Sequence, residues 1–239
     1  MTTTNGPQLI TYIDRLGGDV RGLQDLLDGP LAGAFAGVHL LPYYLPFDGA
    51  DAGFDPEDHT VVDPRLGTWQ DVHALSQGRV LMSDVIVNHV SSRSAQFRDV
   101  VARGDDSPWA PMFLTLSSVF PDGATEADLA RIYRPRPGLP FTTMTLGGRR
   151  LLEWTTCTPE QVGMLRLDAV GYAGKEPGTD CFMTASTQAY VDRILELAHA
   201  RGATVLLEIH GHYLQQIEIA RTVDYVSDFA LPPLVLHPL

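Results

Sequence analysis

Cysteine is nearly absent from this sequence. Only Cys157 and Cys181 occur among the 239 residues, and their spacing matches no metal-binding motif. So low a number excludes a disulfide-stabilised extracellular scaffold and makes the reducing cytoplasm the expected location.

Long apolar runs and an excess of basic residues are missing as well. No segment approaches the roughly 20 apolar residues of a membrane span. Residues 1–4 show no signal-peptide pattern, so we expect no association with a membrane. The 17 Lys and Arg residues against 29 Asp and Glu residues give a net charge of −12, which argues against nucleic acid as a partner.

Strand-like and helix-like segments alternate along the chain. A hydrophobic content of 44% is enough for one large core. Strands are predicted over residues 8–13, 37–42, 80–89, 205–210 and 225–231 and from Leu165 onward, and helices over residues 20–27, 69–75, 186–200 and 213–221. This alternation predicts an α/β fold of the (β/α)8 TIM-barrel type, represented by about its first six strands.

Residues 104–162 interrupt the alternation because they are rich in proline, glycine and arginine. We predict that they form a small subdomain inserted after the third strand. Residues 1–103 would then be the first part of the barrel, and residues 163–239 its continuation. The long loop over residues 47–55 is rich in Gly and Asp, and a loop of that kind is usually functional.

Polar residues collect at the predicted C-terminal ends of the strands, where barrel enzymes place their chemistry. They are Asp84, Asn88, His89, Arg166, Asp168, Glu208 and His210. Period-2 geometry puts Arg166 and Asp168 on one face of their strand, and consecutive strands would bring Glu208 beside Asp168. Retaining glycosidic chemistry requires two carboxyls roughly 5–5.5 Å apart. Arg166 would keep Asp168 ionised, whereas a less compensated Glu208 would hold its proton.

Other interpretations of these residues stay open at this point. Arg166 and Asp168 could form an ordinary ion pair at the end of a strand. Single histidines are more often structural than catalytic, and Asp84 is expected to hydrogen-bond neighbouring loops from inside the barrel. A metal-dependent barrel hydrolase would use His89, Asp168, Glu208 and His210 as ligands.

Several segments resemble a known family. Residues 84–89, 166–170 and 208–210 are similar to three of the four signature regions of the α-amylase superfamily, glycoside hydrolase family 13. Residues 47–55, 132–141 and 228–233 are similar to motifs of its sucrose phosphorylase branch.

The resemblance implies transfer of glucose from sucrose to inorganic phosphate, giving fructose and α-D-glucose 1-phosphate with retained configuration and without a cofactor or metal. Asp168 would be the nucleophile and Glu208 the acid and base. The other residues implied to contact substrates are Asp51, His89 and Arg166 around the glucosyl ring, Phe54 and Tyr172 as its aromatic walls, and Tyr133, Arg136 and His210 on the acceptor side. The arginine suits phosphate through its planar fork.

The sequence departs from this family in two places. Almost nothing separates residue 162 from the strand at Leu165, where the family has a crossover helix. The given sequence ends at Leu239, before the family's seventh and eighth strands and its third catalytic acid. We therefore expect the chain alone to be inactive, with a complementary fragment or a homodimer as routes to a closed barrel. The alternatives are a phosphorylase for sucrose 6'-phosphate or glucosylglycerate, an α-glucoside hydrolase, and a non-catalytic sugar-binding remnant.

Overall fold

The computed structural model describes residues 6–48, 52–132, 143–155 and 164–227. The strands are β1 Gln8–Thr11, β2 Gly37–Leu40, β3 Tyr44–Pro46, β4 Pro56–Val62, β5 Val80–Ile86, β6 Phe113–Thr115, β7 Thr143–Leu146, β8 Arg149–Thr155, β9 Met164–Asp168, β10 Thr204–Leu207 and β11 Tyr225–Val226. The helices are α1 Ile13–Leu16, α2 Val20–Asp28, α3 Trp69–Leu75, α4 Ala95–Arg103, α5 Leu116–Val119, α6 Glu126–Arg131, α7 Ala185–His199 and α8 Tyr213–Ile219. No helix in these ranges has the length and apolar character needed to cross a membrane.

Six parallel strands form a curled half-barrel, which confirms the predicted fold class. Their order across the sheet is β1-β2-β5-β9-β10-β11. The strands follow each other across the sheet in chain order, as the successive strands of a (β/α) barrel do. Their C-terminal ends therefore meet at one rim of the sheet.

Helices cover the sheet because each buries one apolar stripe. In α2, Val20, Leu23 and Leu27 are buried at helical spacing and pack with residues of α3, β2 and β5. In α7 the predicted apolar face, Val191 to Ala198, is buried against β9 and β10. Side chains also define where helices start: Asp19 accepts the Gly22 N–H, and a capping box between Thr68 and Asp71 begins α3.

The structure differs from the sequence predictions at several strand ends. The first strand stops at Thr11 because α1 begins at Ile13, and β5 stops at Ile86, so the polar residues after it leave the sheet. The antiparallel hairpin of β3 and β4 was not predicted. Only β11 of the predicted last strand, and the segment up to residue 227, fall within the described residues.

Within residues 104–162 three strands form an antiparallel sheet in the order β6-β8-β7. This sheet is tied to α4, because Phe97 and Val100 of that helix share a small core with Phe113 and Leu146. The Gly147 N–H also donates to the Val101 carbonyl at 2.8 Å. The subdomain boundaries themselves stay a prediction.

Asp224 connects α7, β10 and the start of β11 at the end of the half-barrel opposite the C-terminal ends of the strands. One of its carboxylate oxygens accepts the backbone N–H of Val205 at 2.8 Å and lies 2.8 Å from Nε2 of His199. We predict that Asp224→Ala lowers the free energy of unfolding by about 1–3 kcal/mol, because the buried Val205 N–H loses its acceptor. Urea unfolding measures the change.

Glu218→Ala is the matched control, since Glu218 pairs with Arg221 on the exposed surface and such pairs contribute little. Equal losses in the two variants would contradict the role given to Asp224.

Candidate active site

Three carboxylates from neighbouring elements surround the Arg166 side chain. Strand register places Asp84 of β5 beside Arg166 of β9, and Ile86 beside Asp168. Glu208 directly follows β10, and its N–H donates to the Leu167 carbonyl at 3.1 Å. The parallel register therefore brings the three acids to the same rim, as the sequence predicts for Asp168 and Glu208.

The Arg166 guanidinium contacts all three acids. Its Nη1 donates to Asp84 Oδ1 and, at 3.0 Å, to Asp168 Oδ1, while its Nη2 lies 2.8 Å from Glu208 Oε1. The Asp84 side chain is fully buried, and those of the other three residues are at most 15% exposed. A buried carboxylate needs such a partner, since an unpaired buried charge is costly.

Asp84 thus has a different partner from the one predicted. Its side chain binds Arg166 on the neighbouring strand rather than the surrounding loops. Its backbone carbonyl accepts the hydroxyl of Tyr44 at 2.9 Å. The hydroxyls of Tyr43 and Ser83 form a second buried hydrogen bond of 2.8 Å. Burial raises the pKa of Tyr43 to about 12, so this phenol stays neutral.

The environments of Asp168 and Glu208 shift the pKa values of the two acids in opposite directions. Burial, a hydrogen bond to Glu208 and the like charge of that carboxyl raise the pKa of Asp168 to about 7. Burial acts in the same direction on Glu208, but the hydrogen bond to Asp168, the Arg166 charge and the Ala169 N–H outweigh it and lower its pKa. Glu208 is therefore the better compensated of the two acids, and the two pKa shifts run opposite to those expected for an ionised Asp168 and a protonated Glu208.

The backbone just after Asp168 turns sharply. Ala169 adopts φ 49° and ψ 25°, a left-handed conformation that is uncommon for a residue with a side chain. Its N–H donates to Glu208 Oε2 at 3.2 Å. A Cβ on Gly171 would lie 2.4 Å from the Phe182 ring, so any other residue there would displace that ring. The Tyr172 ring then lies 5.0 Å from that of Phe182, centroid to centroid.

His89 contacts the loop that carries Phe54. Its Nε2 lies 2.6 Å from the Phe54 carbonyl oxygen. Further along, the Ser91 N–H donates to the Pro56 carbonyl at 3.0 Å, and Arg93 donates to the Phe47 carbonyl at 3.1 Å. The segment after β5 therefore fixes the loop at several points. Phe54 itself is half-buried against the core that α2 and α3 share.

The remaining predicted residues fall into two groups. His210 is 58% exposed, with Nε2 3.3 Å from Glu208 Oε1, so it stands at the outer side of the acid pair. The residues that lie outside the described part of the chain are Asp51, Tyr133 and Arg136.

Metal binding is not favoured by this arrangement. Across the described ranges no three His, Cys, Asp or Glu residues are grouped so as to hold a metal ion. The guanidinium already occupies the position between the acids where a cation would bind.

Sequence reasoning missed Phe182, which packs on Tyr172, and Lys175, whose Nζ lies 5.4 Å from the Tyr172 ring centroid. Burial lowers the pKa of Lys175 to about 8. Both residues belong to the loop before α7, where no periodic pattern predicts contacts.

Comparison with known proteins identifies sucrose phosphorylases as relatives of the chain. The chain is 51% identical over 261 residues to a sucrose phosphorylase of Bifidobacterium adolescentis, covering 98% of this chain and 52% of that protein. It is 51% identical over 263 residues to a sucrose phosphorylase of Agrobacterium vitis, covering 98% of this chain and 54% of that protein. The chain therefore spans about half the length of the curated relatives it matches. The aligned 261 residues exceed the 239 of this chain, so that relative contains residues without a counterpart here. No protein-family model matches the chain.

Solved structures agree with the sequence relatives. The crystal structure of a sucrose 6F-phosphate phosphorylase from Thermoanaerobacter thermosaccharolyticum superposes with a TM-score of 0.86 at 31% identity, over 97% of this chain and 54% of that one. An enzyme of family GH13_31 superposes with a TM-score of 0.71 at 14% identity, over 94% and 51%, which shows the shared fold alone. The chain is thus a member of glycoside hydrolase family 13, homologous along 98% of its length to sucrose phosphorylases and corresponding to their N-terminal part.

Proposed function

We propose that this chain carries the nucleophile and the acid–base residue of a sucrose phosphorylase-type glucosyl transfer. The substrates would be sucrose and inorganic phosphate, and the products fructose and α-D-glucose 1-phosphate. The observation that carries the proposal is the Arg166 cluster, in which one guanidinium holds Asp168 and Glu208 together at the rim of the half-barrel. Sucrose phosphorylases that are 51% identical to the chain support this choice of substrate.

The proposed reaction proceeds in two displacements. Asp168 attacks the anomeric carbon of the glucosyl unit while Glu208 gives a proton to the departing fructosyl oxygen. Phosphate then attacks the same carbon of the glucosyl-enzyme, and Glu208 takes a proton from the phosphate nucleophile. Each displacement inverts the anomeric carbon, so the α-configuration is retained. No cofactor is needed.

The acid pair has to redistribute its proton when sugar binds. In the free site the pKa of Asp168 is raised to about 7, which favours the protonated form of this carboxyl below that pH. Positive charge that develops at the anomeric carbon favours an ionised Asp168, because an opposite charge nearby lowers a carboxyl pKa. Glu208 stands next to it through a shared hydrogen bond and can receive that proton. Arg166 contacts both acids and stabilises either arrangement.

The other substrate contacts belong to the same proposal. Asp51, His89 and Arg166 would hold the glucosyl ring, and Phe54 and Tyr172 would flank it. Tyr133, Arg136 and His210 would contact fructose or phosphate in turn. A cytoplasmic location and assembly as a homodimer belong to the same proposal.

Two alternatives use the same site. A related phosphorylase would take sucrose 6'-phosphate or glucosylglycerate, and a hydrolase would use water in place of phosphate. The lower identity of 31% to the sucrose 6F-phosphate phosphorylase makes sucrose the better supported substrate. A non-catalytic remnant would bind sugar without turnover, which calorimetry on the 239-residue chain with sucrose would reveal.

A graft tests the proposed chemistry. Residues 6–155 and 164–227 would replace their counterparts in the Bifidobacterium adolescentis enzyme, with that enzyme's own residues kept elsewhere. We expect phosphate-dependent release of glucose 1-phosphate from sucrose. Asp168→Asn should then lower kcat by about 10³-fold or more, because the glucosyl-enzyme cannot form.

Asp192→Asn is the control for that substitution. This aspartate is exposed on α7, and its side chain accepts a hydrogen bond from Gln188. A folded graft that releases no glucose 1-phosphate, or an Asp168→Asn graft as active as its parent, would overturn the proposal. Release of glucose without phosphate dependence would favour the hydrolase.

The raised pKa of Asp168 predicts a pH-dependent cost to the fold. The folded protein keeps a proton that the unfolded chain releases between its ordinary pKa of 3.8 and about 7. Stability carried by this group is therefore lost as the pH rises through that window. Relative to the parent, Asp168→Asn should gain unfolding free energy at about pH 8 compared with about pH 4, by on the order of 2 kcal/mol.

Urea unfolding of both proteins at the two pH values measures this difference, with Asp192→Asn as the control. A gain that is independent of pH, or larger in acid, would show that Asp168 does not hold the proton in the free site.

A further inference from the structure

His39 lies directly behind the Arg166 cluster. Its Nε2 is 3.2 Å from Asp84 Oδ2, while Asp84 Oδ1 binds Arg166. The side chain of His39 is 6% exposed and that of Asp84 is fully buried. Neither His39 Nε2 nor Asp84 Oδ2 has a partner with full hydrogen-bond geometry among the described residues. A buried polar atom without a partner is costly, so the two are expected to satisfy each other.

Strand register explains why these side chains meet. His39 of β2 pairs with Met82 of β5, and Asp84 is two residues further along on the same face. Asp84 in turn pairs with Arg166 of β9. The side chains thus form a row from β2 across β5 to β9 on the face that carries the acids.

The Asp84 carboxylate can bind the guanidinium in two ways. With one oxygen held by His39, it presents the other to Arg166, whose second nitrogen stays free for Glu208. Without that donor, both carboxylate oxygens are available, and a guanidinium prefers a two-point contact with one carboxylate. Such a contact would draw Arg166 toward Asp84 and away from Glu208.

We propose that His39 is a positioning residue, which donates its Nε2–H to Asp84 and thereby fixes where Arg166 stands between Asp168 and Glu208. The role of His39 in placing Arg166 is inferred from the contacts between the side chains alone. The consequence for turnover rests on the proposed glucosyl transfer. A purely structural role, in which His39 only fills space, is the competing explanation.

Two substitutions separate these roles. In His39→Gln the amide nitrogen replaces Nε2 and keeps a donor toward Asp84, whereas His39→Leu fills a similar space without a donor. Val38→Ala is the control, because this neighbouring residue is buried on the opposite face of β2 and its truncation perturbs packing alone.

The first measurement needs no enzymatic activity. In the 239-residue chain labelled with ¹⁵N-arginine, the Arg166 guanidinium signals are identified by their loss in Arg166→Lys. We expect His39→Leu to shift these signals, and His39→Gln and Val38→Ala to leave them close to those of the parent. Urea unfolding shows which variants are folded.

The second measurement uses the active graft described above. His39→Leu should lower kcat by about 10- to 100-fold with little change in KM, a loss of the size found when residues that orient the ligands of a site are replaced. In His39→Gln, which keeps the donor, kcat should stay within about threefold of the parent value. Unshifted Arg166 signals in a folded His39→Leu, or equal shifts in His39→Leu and His39→Gln, would overturn the inference. An inactive parent graft would refute the proposed function, while the guanidinium signals would still decide the role of His39.

Discussion

The contact of one guanidinium with three carboxylates is the interaction on which the site depends. Asp84, Asp168 and Glu208 come from three neighbouring elements, and each would carry a large desolvation cost without Arg166. The contact exists only if β5, β9 and β10 keep their parallel register, because a shift by one residue would turn the acids to the opposite face. The position of the acids at the rim therefore depends directly on the register of the sheet.

The same contact makes the acid pair adaptable. Arg166 touches both Asp168 and Glu208, so a proton can reside on either without leaving a buried charge unpaired. The hydrogen bond to Asp168 and the Arg166 charge lower the pKa of Glu208, and the N–H of the left-handed Ala169 acts in the same direction on Glu208 alone. The two carboxyls therefore have different pKa values although one guanidinium contacts both.

Much of the fold follows from the sequence, because its signals are local. The alternation of apolar runs with amphipathic helical segments predicts the parallel strands. The apolar spacing from Val191 to Ala198 predicts the buried face of α7. The period of two along β9 correctly places Arg166 and Asp168 on one face. The hairpin of β3 and β4 escaped prediction because prolines border both strands and the segment resembles a plain loop.

The charge state of the site could not be predicted from local patterns. Compensation of Glu208 depends on Arg166 Nη2 and on the Ala169 N–H, which belong to a different strand and an unusual backbone turn. The contact of His89 with the Phe54 carbonyl likewise joins segments 35 residues apart. Such features depend on the register between strands and on loop paths, and neither is encoded in a run of neighbouring residues.

Strand β5 serves two parts of the site at once. It places Asp84 against Arg166, and the segment that follows it holds the loop of Phe54 through His89 and Ser91. A displacement of β5 would therefore move the acid cluster and the Phe54 loop together, because both are attached to the same strand and the segment after it.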